Sequence, residues 1–218
     1  MRRGLALFAC LAGCAGGPPV PDWQANAHAA LAAHTAAYLA GRDRAAVQEL
    51  ARARAEVART GDAAQLARVE LAACAARFAS LSSRDCPAFT PLAQDADPAA
   101  RAYADYLAGR WEGLKVEHLP PAQQAVMKAH EALAALRAIE EPLSRLVAAA
   151  MLFYAGRLPP AGIELAIETA AQQGWRRPLL AWLGVARDRL AAAGRHEEAA
   201  AYARRMAIVS GEGSAAGR

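Results

Sequence analysis

The side chains able to transfer protons, attack as nucleophiles or bind metal in this 218-residue chain are 5 histidines, 4 cysteines and 21 acidic residues. Their spacing limits what they do. His28 and His34 are not one helical turn apart, so they do not share a helix face as a ligand pair would. No H-E-x-x-H, no G-x-S-x-G and no Gly-rich phosphate loop occurs. Adjacent Glu140 and Glu141 offer carboxylates for acid/base work, as in an enzyme that cleaves peptidoglycan. They directly precede Pro142, however, and carboxylates favour the positive end of a helix. A helix start accounts for them. An enzyme acting on peptidoglycan or lipid would instead need a deep pocket gathering Glu112, Glu117 or His118 around a perturbed carboxylate. The sequence therefore names no catalytic residue, no metal ligand and no cofactor, and it reads the histidines as surface or interface residues.

Any site in this chain is carried on helices. Alanine supplies 62 of the residues, so the 55% hydrophobic content is mostly the smallest apolar side chain. With few β-branched residues and little alternation, that composition specifies tightly packed helices and excludes a sandwich or barrel. The net charge of +4 is dispersed, with acids interleaved throughout. No Lys/Arg stripe points to nucleic acid.

The first residues have a different logic. Arg2 and Arg3 precede a short apolar run from Gly4 to Ala12, and Leu11-Ala12-Gly13-Cys14 follows. The order is that of a secretory signal, with an apolar part far shorter than the ~20 residues of a membrane-spanning helix. The last four residues resemble the lipobox of bacterial lipoproteins. That resemblance implies cleavage after residue 13, a lipidated Cys14 as the first mature residue, and, because Ala15 is not Asp, sorting to the outer membrane. Two or three acyl chains make such attachment stable. Without Arg2 and Arg3, 23 Lys+Arg face 21 Asp+Glu, so the mature side chains are nearly neutral. Residues 14–21 then form a lipidated Cys and a Gly/Pro tether, which cannot continue a helix.

On this reading Cys10 leaves with the signal and Cys14 is acylated. Cys74 and Cys86 remain as an even pair, which an oxidising periplasm allows to bond. Cys74 falls on a helix expected to run to about Phe78. Cys86 lies in the Ser82–Pro87 loop, which can fold back over that helix's last turns. A structural disulfide is expected there; the absence of C-x-x-C argues against redox or metal work.

A corner recurs along the rest of the chain. Tyr38-Leu39-Ala40-Gly41-Arg42 returns as Tyr106-Leu107-Ala108-Gly109-Arg110, as Phe153-Tyr154-Ala155-Gly156-Arg157 and, more loosely, as Ala191-Ala192-Ala193-Gly194-Arg195. Each Gly follows a helical stripe, where a chain leaving its helix takes φ > 0. The arginine after it can pair with the negative helix end. Trp23, Ala27, Leu31 and Tyr38 mark one face of the first helix, opened by Asp22 as N-cap. Val47, Leu50, Ala51, Arg54, Val57 and Ala58 mark the second. Here the chain resembles the tetratricopeptide-repeat family, in which small residues follow the corner so that paired helices approach closely; Ala46 and Ala53 stand there after Gly41, and Ala199 after Gly194. Gly113 and Pro120-Pro121 interrupt the segment after Gly109, which departs there from the family's regular partner helix.

The expected architecture is an all-α body over 22–210, either a solenoid of αα-hairpins or an irregular bundle of about 8–9 helices, followed by a disordered tail at 211–218. Aromatic residues should mostly fill gaps between hairpins. Any left exposed in a groove would anchor a partner, and Tyr103, Tyr106 and Trp111, beside the irregular 110–121 stretch, are the candidates. The expected work is that of a lipid-anchored periplasmic scaffold or assembly factor, which binds another envelope protein or peptide and meets the membrane through its anchor. The alternatives are the cell-wall or lipid enzyme and a structural envelope lipoprotein without a specific ligand.

Overall fold

Alanine permits helices to approach closely, and the chain uses it that way. The computed structural model describes residues 21–211. Cys14, the signal segment and tether through residue 20, and all of the expected disordered tail but Gly211 lie outside the described residues. Ten α-helices follow in order: α1 (Asp22–Leu39), α2 (Asp43–Ala58), α3 (Ala63–Ala79), α4 (Pro98–Leu107), α5 (Pro121–Lys128), α6 (Ala132–Ala138), α7 (Pro142–Tyr154), α8 (Pro160–Gln172), α9 (Arg176–Ala192) and α10 (His196–Ser210). No strand occurs among the described residues. None of their helices is long and apolar enough to cross a membrane.

The regular part is built from the expected corners. Gly41 has φ +78°, and the N–H of Arg42 reaches back to the carbonyl of Ala37 at 2.8 Å, the bond that closes a Schellman helix end. Gly109, Gly156 and Gly194 repeat both the φ and the bond. Gly174 repeats them too, where the sequence reading had placed no corner. The small residues after the corners are buried as expected: Ala46 and Ala53 face α1, and Ala199 lies inside the last hairpin.

Three local expectations change. Pro21, not Asp22, stands at the N-cap of α1; Asp22 sits in the first turn, where its charge still meets the positive helix end. Val47 is 69% exposed, because α2 turns Ala46, Leu50, Ala53 and Val57 inward. The arginines after the corners do not cap their own helices. Those carbonyls are met from elsewhere: Arg177 donates to Tyr38 O at 2.8 Å and Arg84 to Ala108 O at 3.2 Å, while Arg110 and Arg195 pair with Asp105 and Glu198.

Helix α3 is the centre. It packs against α1, α2, α4 and α7, and its Phe78 ring lies 5.4 Å from that of Tyr154. The main core gathers Phe78, Tyr106, Leu136, Leu146, Met151, Ile167 and Trp182. A smaller one joins α1, α2 and α3 through Ala30, Leu50, Ala53, Val57 and Ala73. Helix α9 also meets the first hairpin and α3. Arg177 of α9 lies 4.3 Å over the Tyr38 ring and pairs with Asp43, and the Trp182 indole donates to Ala79 O at 3.2 Å. Regular hairpins at both ends thus close on an irregular middle, in which α5 and α6 are only short segments.

Candidate functional site

Cys74 and Cys86 are bonded, with Cα atoms 5.6 Å apart. The pairing ties the 80–97 connection to the side of α3. Glu141, read as part of a helix start, caps α7: its carboxylate accepts from the N–H groups of Leu143 at 2.9 Å and Ser144 at 2.5 Å.

Of the three candidate anchors, Tyr103 borders a cavity. Tyr106 is a correction: it is fully buried, stacked at 6.1 Å on Tyr103, because the turn of α4 that carries it faces α3 and joins the main core. Trp111 is half-buried and donates its indole N–H to Tyr106 O at 2.9 Å, so it closes the corner instead of lining the groove. His34 departs from the surface reading as well. It is buried between α1 and α2, with Nδ1 2.8 Å from Ala46 O, and Nε2 has no partner among the described residues. Burial depresses its basicity, and the nearby Arg77 and Arg54 charges add to the effect.

The site that emerges is a band of three depressions, the middle one sharing Arg68 with one neighbour and His118 with the other. The first, about 540 Å³, has α3 as its floor and α1, α4 and the 118–120 segment as its walls. Leu71, Ala72, Ala75, Ala99, Ala100, Tyr103, Leu119 and Leu143 make it apolar. Alanines on the floor and on α4 leave the space that larger residues would occupy. At one end the Arg68–Asp97 ion pair, 2.6 Å, divides it from a second depression of about 540 Å³ between α1, α2 and α3. Trp23, Ala27, Leu31 and Val57 line that one, and Arg68 borders both. Asp97 also caps α4 through Ala100 N–H at 2.7 Å. That bond, followed by Arg68, holds its carboxyl below the usual range.

At the other end the shared residue is His118. Beyond it lies a polar cleft of about 520 Å³ on the opposite side of α4, lined by Arg101, Asp105, Arg110, Glu112 and Lys115. Glu112 and His118 thus face one cleft, whereas Glu117 does not border it. Neither Glu112 nor His118 makes a side-chain hydrogen bond among the described residues, so no acid/base pair is assembled there. No cluster of His, Cys, Asp and Glu among the described residues has the form of a metal site.

The sequence reading found Tyr103 but missed Leu71, Leu119, Leu143 and the Arg68–Asp97 pair. Leu71 lies on α3, Leu143 on α7 and Leu119 between α4 and α5, so no local pattern brings them together. The ion pair joins residues 29 positions apart, which no local pattern reveals. A further cleft, between α8, α9 and α10, is already internally satisfied: Tyr202 donates to Glu164 at 2.5 Å and Arg195 grips Glu198. Burial and the Glu164 carboxylate push the Tyr202 hydroxyl up to about 12.

The comparisons with known proteins add no relative: no protein family, curated protein or solved structure matches the chain.

Proposed function

We propose that the chain is a lipid-anchored periplasmic binding scaffold, an accessory factor of the bacterial envelope held to the outer membrane through Cys14. The observation that carries this reading is the apolar depression floored by α3. It is open to solvent, lined by Leu71, Tyr103, Leu119 and Leu143, and broadened by alanines. Contiguous apolar surface of that kind costs free energy when left in water, and it is retained where a partner covers it. Its polar groups, the Arg68–Asp97 pair and His118, stand at its two ends, and the stretch between them is mostly apolar.

The N-terminal pattern of residues 1–14 supports the location, and the Cys74–Cys86 bond is consistent with an oxidising compartment. The mechanism is tethering. A body held near the membrane surface by a short tether meets membrane-bound partners at a raised effective concentration.

The test has two arms. Cys14→Ser should move the protein out of the membrane fraction or leave it uncleaved; unchanged fractionation contradicts the anchor. A photo-crosslinking side chain at Ala99 in intact cells should capture one defined envelope protein, while the same group at exposed Val47 should not. Equal capture from both positions would remove the groove from the function.

A further inference from the structure

We infer that the band running from the α1–α3 seam across His118 docks a peptide segment whose apolar residues are followed by an acidic end. This rests on the scaffold reading and adds the chemistry of the partner.

The argument comes from how charge is distributed along the band. The depression against α1, α2 and α3 and the one on the α3 floor are apolar and meet at Arg68. Its charge is neutralised there by Asp97, so neither end attracts ions at that junction. Past His118 the character changes. The cleft on the far side of α4 holds Arg101, Arg110 and Lys115 against Asp105 and Glu112. Arg110 is taken by Asp105 at 2.7 Å. Arg101 and Lys115 have no carboxylate partner among the described residues; Arg101 donates only to the carbonyl of Ala96. The cleft therefore keeps one net positive charge: Lys115 and Arg101, the latter hydrogen-bonded to the Ala96 carbonyl, outnumber Glu112, which also has no side-chain partner among the described residues. A ligand that lays apolar residues over Ala72, Ala75 and Ala99 and continues past His118 presents its next groups to those cations. Carboxylates complement them and ammonium groups are repelled. A peptide fits better than a lipid, because the apolar part is an open trough and not an enclosed channel that would sheathe an acyl chain.

The experiment uses fluorescence anisotropy with the full chain and two labelled synthetic peptides that share one Leu/Ala-rich segment. One ends in a run of Glu with a free carboxylate, the other in a run of Lys with a terminal amide. The Glu-ended peptide should bind about tenfold more tightly. The double variant Arg101→Glu/Lys115→Glu should reverse that order, and both positions are exposed, so folding is not at stake. Ala99→Trp, also at an exposed position, should weaken both peptides. Equal affinity for the two ends, or an order that survives charge reversal, overturns the inference; if Ala99→Trp still weakens both, the scaffold reading stands. Neither peptide binding overturns both. Soluble dihexanoyl-phosphatidylglycerol that binds in an Arg101- and Lys115-dependent way, with no peptide bound, assigns the band to lipid and also overturns the inference.

Discussion

Gly109 and Gly194 occupy the same backbone conformation, φ +76° and +74°, yet their surroundings differ. A β-carbon at Gly194 meets open space, whereas one at Gly109 runs into the Arg84 guanidinium. That guanidinium donates to Ala108 O and lies 5.1 Å from the Tyr154 ring centre. Gly194→Ala should then cost only the left-handed backbone strain, about 1–2 kcal/mol. Gly109→Ala should cost roughly 1 kcal/mol more, since the Arg84 contacts are also displaced. Urea midpoints of the two variants measure the difference, and equal losses would mean that Arg84 contributes nothing. Leu81 is the exception to the corner chemistry: it takes φ +53° without being Gly, and Ser82 N–H closes the same bond to Arg77 O. Its side chain packs against the main core, which offsets the strain. His34 gives the second residue-scale prediction. Its folded basicity lies below the 6.5 of an exposed imidazole, so the unfolded chain takes up the proton first as pH falls. The stability from the neutral buried ring is complete above 6.5. It is lost as pH drops below that value, until the buried ring itself protonates. His34→Gln does not titrate and keeps a donor for Ala46 O; its acid-side loss of stability should be shallower than in the parent chain.

Between elements, the informative contact is Arg54 of α2 with Glu70 of α3, a two-pronged pair at 2.5 and 2.7 Å. Glu70 is buried and Arg54 is partly exposed. Arg54→Ala strands a carboxylate away from water and should cost about 3 kcal/mol, while the double change Arg54→Leu/Glu70→Leu should cost far less. A double variant as unstable as Arg54→Ala would show that the pair itself, not the stranded charge, sets the energy. The disulfide acts at this scale too. Its 12-residue separation closes a short loop, so Cys74→Ala/Cys86→Ala should lower stability by about 3 kcal/mol in the chain-entropy account. Thiol labelling of the oxidised protein should find neither cysteine reactive. This is also where the sequence was most legible. Helix ends are decided within five residues, so four glycines located four corners, and Cys74 and Cys86 lay close enough to be paired. Gly174 was missed because Trp175 follows it where the other corners carry arginine. The groove was largely illegible, since Leu71, Leu119 and Leu143 come from three separate segments that only the packing of α3 brings together.

At the scale of the molecule, the question is whether the hairpins behave as a row of neighbours or as one body. A row in which each unit touches only the next unfolds from its ends, in steps. Here α9 returns to the first hairpin. Arg177 binds the carbonyl of Tyr38, pairs with Asp43 and covers the Tyr38 ring, and Trp182 reaches Ala79 of the central helix. These contacts span more than 100 positions of sequence, and they make the two ends lose their support together. Unfolding followed by far-UV circular dichroism and by tryptophan fluorescence should therefore give coincident transitions. In Arg177→Ala the link between α1 and α9 is cut while Trp182 and the main core stay in place. The variant should lose about 1–2 kcal/mol, and the two probes should separate, because the α1–α2 hairpin with Trp23 can then open before the core around Trp182. Coincident curves in that variant would mean that α3 alone, through its contacts with both cores, holds the molecule in one cooperative unit.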